Sequence, residues 1–283
     1  MTEPEVDVPA PPKSRAGRDL RAAVGVGLLL GGLVVGTLLI SKAAFLPVLV
    51  VAICVGAWEM RQALAGAGMR VPPVPLLLGA VGMLLSAYLR GAEALVLTFG
   101  LTLLGLLLWR AADGLEGAAR DLSASAFVAF YPCFLGGFAS LLLSAPDGRQ
   151  RIVFFILVTV FSDIGGYAVG VVLGKHPMAP SLSPKKSWEG FGGSVGASAI
   201  VGALAMVVLL DGSWWAGALI GGICAAVATM GDLIESSIKR DLKVKDMSNL
   251  LPGHGGIMDR LDSLVMVVPV VWALLLFFAP VPS

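Results

Sequence analysis

Ile152-Val-Phe-Phe-Ile-Leu-Val-Thr159-Val-Phe-Ser-Asp163-Ile-Gly-Gly-Tyr167-Ala-Val-Gly170-Val-Val-Leu173 runs for 22 residues with one ionisable carboxylate, Asp163, at its middle. A bilayer's hydrocarbon core, about 30 Å thick, takes about 20 apolar residues of helix to cross. This stretch is long enough, and eight others resemble it in hydropathy, at approximately 22–41, 43–58, 74–89, 92–109, 123–144, 190–210, 213–230 and 264–281. The second, third and fourth along the chain are short, so their polar ends are expected to tuck against neighbouring helices. The whole composition agrees: 57% hydrophobic and 14% charged, with mean hydropathy +0.89, against about 45–50% and about 25% in soluble domains. The 36 glycines keep no collagen-like period, and three cysteines, each alone in an apolar stretch, are too few for a disulfide scaffold. Cys54, Cys133 and Cys224 therefore read as small apolar residues, and glycines such as Gly25, Gly27, Gly31, Gly32 and Gly36 as helix-packing positions. The expected fold is all-α, an integral membrane protein of about nine transmembrane helices.

Lys and Arg set the orientation of such a chain. One side carries Lys13, Arg15, Arg18 and Arg21, the connections holding Arg61, Arg70, Arg110 and Arg120, and two long polar loops at about 174–189 and 231–263. The other holds only Lys42, Arg90, Arg149 and Arg151, a split of 16 against 4 that accounts for all 20 basic residues. The N-terminus and both long loops are expected in the cytosol and the C-terminus outside. Residues 1–21, proline-rich and aperiodic, read as a disordered tail with no cleavable signal. No basic face stands beside aromatic residues, so nucleic acid is not an expected partner.

Chemistry is concentrated in three places. The second long loop reads Gly231-Asp232-Leu-Ile-Glu235-Ser236-Ser-Ile-Lys239-Arg240-Asp241-Leu-Lys243-Val-Lys245-Asp246, and then Pro252-Gly253-His254-Gly255-Gly256-Ile-Met-Asp259-Arg260-Leu-Asp262. If helical, residues 232, 235, 236 and 239 share a face, and so do Asp259 and Asp262. Carboxylates converging from two helices suit a hard divalent cation such as Mg²⁺, and the adjacent Lys and Arg suit polyphosphate. A mixed-charge loop is ordinarily a solvated surface with marginal ion pairs. The Gly-His-Gly-Gly break argues otherwise, because it is costly in backbone entropy unless the backbone must approach something closely. The first loop, Ser183-Pro-Lys185-Lys186-Ser187-Trp188-Glu189-Gly190, offers two lysines and hydroxyls to a triphosphate, without any P-loop pattern. Asp163 is the third: an ionised Asp within a span costs about 2.5–3.5 kcal/mol and usually faces a watery cavity or a partner.

Together these stretches resemble the phosphatidate cytidylyltransferases, or CDP-diacylglycerol synthases. Ser236-x-Ile238-Lys239-Arg240, Lys245-Asp246 and Pro252-Gly-His254-Gly255-Gly256-x-x-Asp259-Arg260-x-Asp262 match that family's signature in spacing at every position. Ser183 to Gly190 is similar to its other loop, with Ser where Thr is frequent. Asp163 to Gly170 is similar to its embedded motif, with Ile164 and Gly166 replacing the commoner Thr and Ala. Residues 1–120 resemble the family only in hydropathy.

The resemblance implies that CTP and phosphatidate give CDP-diacylglycerol and pyrophosphate, at the cell's inner (plasma) membrane, in a possible homodimer. It implies Mg²⁺, with a second, monovalent cation beside it. Both reactants are anions, so neutralising charge and aligning an in-line displacement is the main task. Asp232 and Asp259 are the expected primary metal ligands, with Asp262 and Asp246 second. Lys185, Lys186, Lys239 and Arg240 are expected on the triphosphate, Ser183 and Tyr167 in the substrate site, and Lys245, Arg260 and Asp163 among the catalytic residues. His254 is expected to hold phosphate or the glycine turn, since a phosphomonoester with a second pKa of about 6 needs no general base at neutral pH. The domain reading is a tail at 1–21, membrane helices over 22–122 and a catalytic membrane region over 123–283. Two alternatives stand beside this one: a CTP-dependent lipid kinase, which would release CDP, and a transporter, which would place charges within reach of both sides. The motif of CDP-alcohol phosphotransferases is absent.

Overall fold

A computed structural model describes residues 16–114, 116–251 and 255–280. The helices are α1 (Ala16–Ile40), α2 (Lys42–Gly66), α3 (Pro73–Arg90), α4 (Ala92–Ala112), α5 (Ala118–Val128), α6 (Leu135–Ser144), α7 (Gly148–Leu173), α8 (Trp188–Leu210), α9 (Trp214–Asp241) and α10 (Met258–Phe278). A π-helical turn at Ala129–Phe134, with Pro132 inside it, joins α5 and α6 into one rod. Among the described residues, eight helical segments are long and apolar enough to cross a membrane, Ala118–Ser144 counting as one, and the apolar Gly25–Ile40 of α1 is shorter. Each of the nine expected spans thus has its described residues largely on helix, with residue 281 of the last lying outside them. Among the described residues the only named strands form a small antiparallel hairpin, β1 (Pro177–Ala179) and β2 (Ser183–Ser187), pairing Pro177 with Ser187 and Ala179 with Ser183.

Several expected boundaries move. Of the expected tail, 1–15 lie outside the described residues and 16–21 belong to α1; no proline follows Pro12 there to stop a helix. Helix α2 runs past Trp58 to Gly66, carrying Glu59 and Arg61 with it. About half of the expected loop 231–263 is helix, because α9 continues to Asp241 and α10 begins at Met258. Glu and Lys are good helix formers, so charge ends the hydropathy of a span without ending the helix.

The closest packing lies along α7, α8 and α9. A Cβ has no room at Gly165, Gly193, Gly202, Gly217 or Gly221, where helix backbones touch. Two hydroxyls stitch the same seam: Ser194 Oγ donates to the Ser162 carbonyl at 2.8 Å and Ser198 Oγ to the Val158 carbonyl at 2.8 Å. The α1 glycines expected to pack, Gly25, Gly27, Gly31, Gly32 and Gly36, face open space instead. At one end of the bundle Lys42 Nζ donates to the Ala145 carbonyl at 2.6 Å, and Arg151 pairs with Asp147 at 2.6 Å and donates to the Ala279 carbonyl at 2.6 Å. The hairpin, the polar end of α9 and the start of α10 meet at the opposite end.

Candidate active site

The carboxylates and lysines singled out in the sequence are delivered by four elements. On α9, Asp232, Glu235, Ser236 and Lys239 follow three-and-four spacing and share one face. The first two turns of α10 bring Asp259, Arg260 and Asp262, α7 brings Asp163, and β2 brings Lys186. These residues line a cavity of about 430 Å³. A second cavity, of about 280 Å³, shares Asp163, Lys186 and Asp232 with it and adds Tyr167, Lys185, Ser187 and Phe191.

Within the larger cavity the charges are unequal. Lys186 Nζ donates to Asp232 Oδ2 at 2.6 Å. Lys239 Nζ bridges Glu235 Oε2 at 2.5 Å and Asp259 Oδ1 at 2.7 Å. With Arg260 there are three cationic side chains facing Asp163, Asp232, Glu235, Asp259 and Asp262. Glu235 is 2% exposed, its Oε1 has no hydrogen-bond partner among the protein atoms, and its carboxyl group lies against that of Asp262. A buried carboxylate oxygen left without a donor is costly, so this acid pair calls for a shared proton, a cation or a donor from a ligand.

Asp259, expected as a primary metal ligand, lines the cavity and also has several partners within the protein. Its side chain is 2% exposed, and besides Lys239 it accepts from the Met247 N–H at 3.0 Å and the Gly256 N–H at 2.7 Å. Those partners make it the anchor of the segment between α9 and α10 and the residue that aims Lys239. Asp232, Asp259 and Asp262 of the expected ligand set all line the cavity, Asp232 paired there with Lys186 and Asp262 accepting from the Ser263 N–H at 2.7 Å. Asp246 is exposed beside Gly255 and does not line the cavity. Arg240 is exposed and also absent from both linings, because one residue of helix turns it about 100° from Lys239. Lys245 is exposed in the connector, and Ser183 sits at the hairpin's turn opposite Ala179; neither lines either of these two cavities. Pro252, Gly253 and His254 lie outside the described residues.

The residue that sequence reasoning passed over is Glu59. It comes from α2, in the half of the chain without a motif, and is 4% exposed. Its carboxylate accepts from Ser248 Oγ at 2.6 Å, the Ile257 N–H at 3.1 Å and the Met258 N–H at 2.8 Å. A helix leaves its first N–H groups without internal acceptors, and a carboxylate placed there also meets the favourable end of the helix dipole. Gly256 fits because a Cβ there would stand 2.5 Å from Glu59 Oε2, and Gly255 because its φ is +79°. The signal available in the sequence was a single acid directly after an apolar run, Trp58-Glu59-Met60. Tyr131, buried in the π-helical turn, also reaches the site, its hydroxyl 3.4 Å from the Asp262 carbonyl. Glu189 closes the hairpin's base, accepting from the Lys175 and His176 N–H groups at 3.1 and 3.2 Å.

Comparison with known proteins bears on what this arrangement does. Residues 21–278 match the cytidylyltransferase family. The phosphatidate cytidylyltransferase of Mycobacterium leprae (strain TN) is 38% identical over 277 residues, covering 92% of this chain and 89% of that protein. The phosphatidate cytidylyltransferase of Mycobacterium bovis is 36% identical over 280 residues, 94% of this chain and 92% of that one. The Staphylococcus saprophyticus protein of the same name is 40% identical over 142 residues, covering 50% and 54%.

Proposed function

This chain belongs to the cytidylyltransferase family, a family of nucleotidyltransferases, and from that premise we propose that it transfers CMP from CTP to phosphatidate, giving CDP-diacylglycerol and pyrophosphate. The observation that carries the reading is the cavity itself. Lysines and an excess of carboxylates meet around the orphaned Glu235 Oε1, next to Asp163 and Tyr167 on a membrane-crossing helix. A water-soluble triphosphate can approach from the hairpin end while a diacyl lipid stays in the bilayer.

A phosphomonoester oxygen of phosphatidate attacks the α-phosphorus of CTP, and the bond from that phosphorus to the pyrophosphate oxygen breaks. The oxygen is already largely deprotonated near neutral pH, so no side chain has to remove a proton. Lys186 and Arg260 face the cavity and meet phosphate oxygens, and Lys185 does so from the smaller cavity beside it. Lys239, held from two sides by Glu235 and Asp259, keeps its ammonium fixed while charge moves onto the leaving group. Tyr167 and Asp163 line the passage between nucleotide and lipid.

The donor set fits a hard divalent cation. Asp232 and Asp262 would hold it, with the buried Glu235 carboxyl behind them adding to the carboxylate excess of the cavity. Among the described residues no three acidic, His or Cys groups make a ready-formed metal cage. Mg²⁺ is commonly held by one or two carboxylates together with water and substrate phosphates. When bound, such an ion neutralises the triphosphate and steadies the departing pyrophosphate.

The decisive assay gives purified protein CTP labelled in the cytidine, with phosphatidate and graded Mg²⁺. Labelled CDP-diacylglycerol with equimolar pyrophosphate is expected; labelled CDP with a phosphorylated lipid would instead make it a kinase. The reading also puts the hairpin and the α9–α10 connector in the cytosol, as the basic asymmetry suggests. Cysteines at Ser181 or Asn249, in a cysteine-free background, should resist an impermeant thiol reagent in intact cells. Labelling of either from outside would reverse the orientation and leave CTP without access.

A further inference from the structure

We propose that an apolar cavity beneath the carboxylates seats a segment of one acyl chain of the lipid substrate; the inference rests on the phosphatidate reading above. The cavity measures about 140 Å³ and no lining residue carries a polar side chain. A cavity of about 150 Å³ lined by aliphatic and aromatic residues stays dry and accepts an apolar guest. Its walls come from α1, α2, α6, α7 and α10, among them Val34, Ala52, Ile156 and Val268.

Its position identifies the guest. On α7, Ile152, Ile156, Thr159 and Asp163 follow four-three-four spacing and so form one stripe. The first two line the apolar cavity and the last two line the carboxylate cavity. Leu264 of α10 lines both, so the two spaces share a wall. One continuous face of α7 therefore changes from hydrocarbon to polar at Thr159, as a lipid changes from tail to headgroup. From Asp163 to Ile152 is eleven residues, about 16 Å at a helical rise of about 1.5 Å. Half of a hydrocarbon core of about 30 Å is about 15 Å, the reach of one acyl chain. A phosphate held among the lysines would thus bring its own tail down the stripe into this space. Lipid tails gain no hydrophobic driving force by moving from bilayer to protein, so the cavity acts by shape and selects for chain length.

The test compares wild type, Ala52→Phe and Val268→Phe, each purified, with CTP and either dioctanoyl or dioleoyl phosphatidate in mixed micelles. Filling the cavity should lower the ratio of long-chain to short-chain kcat/KM by about tenfold, the scale of discrimination by an apolar pocket that fits badly. An unchanged ratio with turnover intact overturns the acyl seat alone. If the wild type converts neither lipid with CTP, the phosphatidate reading falls and the seat falls with it. Independently of either variant's folding, wild-type protein is to be photolabelled with phosphatidate bearing a mid-chain diazirine. Adducts at cavity residues such as Ile156 or Val268 are expected. Adducts confined to outward-facing positions such as Val172 or Phe277 would show bulk lipid contact and refute the seat.

Discussion

Replacing Glu59 tests whether the α9–α10 segment is held from α2. Three donors converge on its carboxylate, from Ser248, Ile257 and Met258. Hydrogen bonds to a charged acceptor contribute about 1.5–3 kcal/mol each, and they are not additive. Glu59→Gln keeps one carbonyl acceptor but turns an NH₂ group towards donors, so one or two of the three bonds are lost. A net loss of about 2 kcal/mol is expected, about a thirtyfold shift towards the undocked segment at about 1.4 kcal/mol per factor of ten. Glu59→Ala strands all three donors in a site that is 4% exposed, and about 3–5 kcal/mol is expected. The assay is amide hydrogen exchange at Ile257 and Met258 in detergent, with turnover measured in parallel. In Glu59→Gln both amides should exchange about thirtyfold faster, and turnover should fall because Asp259, Asp262 and Arg260 ride on the same helix end. Unchanged protection at Met258 would refute the reasoning, since its N–H has no intrahelical acceptor to fall back on.

Other outcomes follow from the same geometry. Asp232→Asn and Asp262→Asn should each raise the Mg²⁺ concentration needed for half-maximal turnover by at least about tenfold, whereas Asp259→Asn should lower thermal stability by about 2–3 kcal/mol because its anchoring contacts weaken. Mg²⁺ titration and thermal unfolding of all three separate the roles, and identical profiles would erase the distinction. Lys186→Gln should raise KM for CTP more than for phosphatidate, read by varying each substrate alone; a selective lipid defect would move Lys186 to the headgroup. Gly256→Ala should reproduce much of the Glu59→Gln exchange phenotype, since its methyl group occupies the carboxylate's place. Normal protection in that variant would mean that the clamp yields freely.

The spans were legible because lipid imposes one rule, an apolar run long enough to cross, and α2 to α10 obey it. Where each helix stops was not, since hydropathy reports solvent and not backbone. Helix α9 passes from apolar to charged at Asp232 without a break, and α2 does the same at Glu59. Asp232, Lys239 and Asp262 were singled out because helical spacing put them on shared faces, and Lys186 because it is one of two adjacent lysines beside hydroxyls. Glu235 lay on the same face without an assigned part, and only its burial without a partner singles it out. The work of Asp259 depends on backbone donors that side-chain chemistry cannot reveal. Glu59 acts across 198 positions of sequence on Ile257, and a single chain read alone carries no mark of that pairing.

The glycine contacts along α7, α8 and α9 have a consequence for how the chain tolerates change. Where two backbones touch with nothing between them, no rotamer can move aside for a new methyl group. Alanine at Gly202, Gly217 or Gly221 would have to push whole helices apart. In α1 the same exchange at Gly27 or Gly32 meets open space and improves helix propensity by up to about 1 kcal/mol. A saturation survey scored by expression should therefore split the glycines into two populations that composition does not distinguish. Substitutions would be purged along the α7–α8–α9 seam and neutral or gainful in α1, leaving the first helix free to drift among homologues.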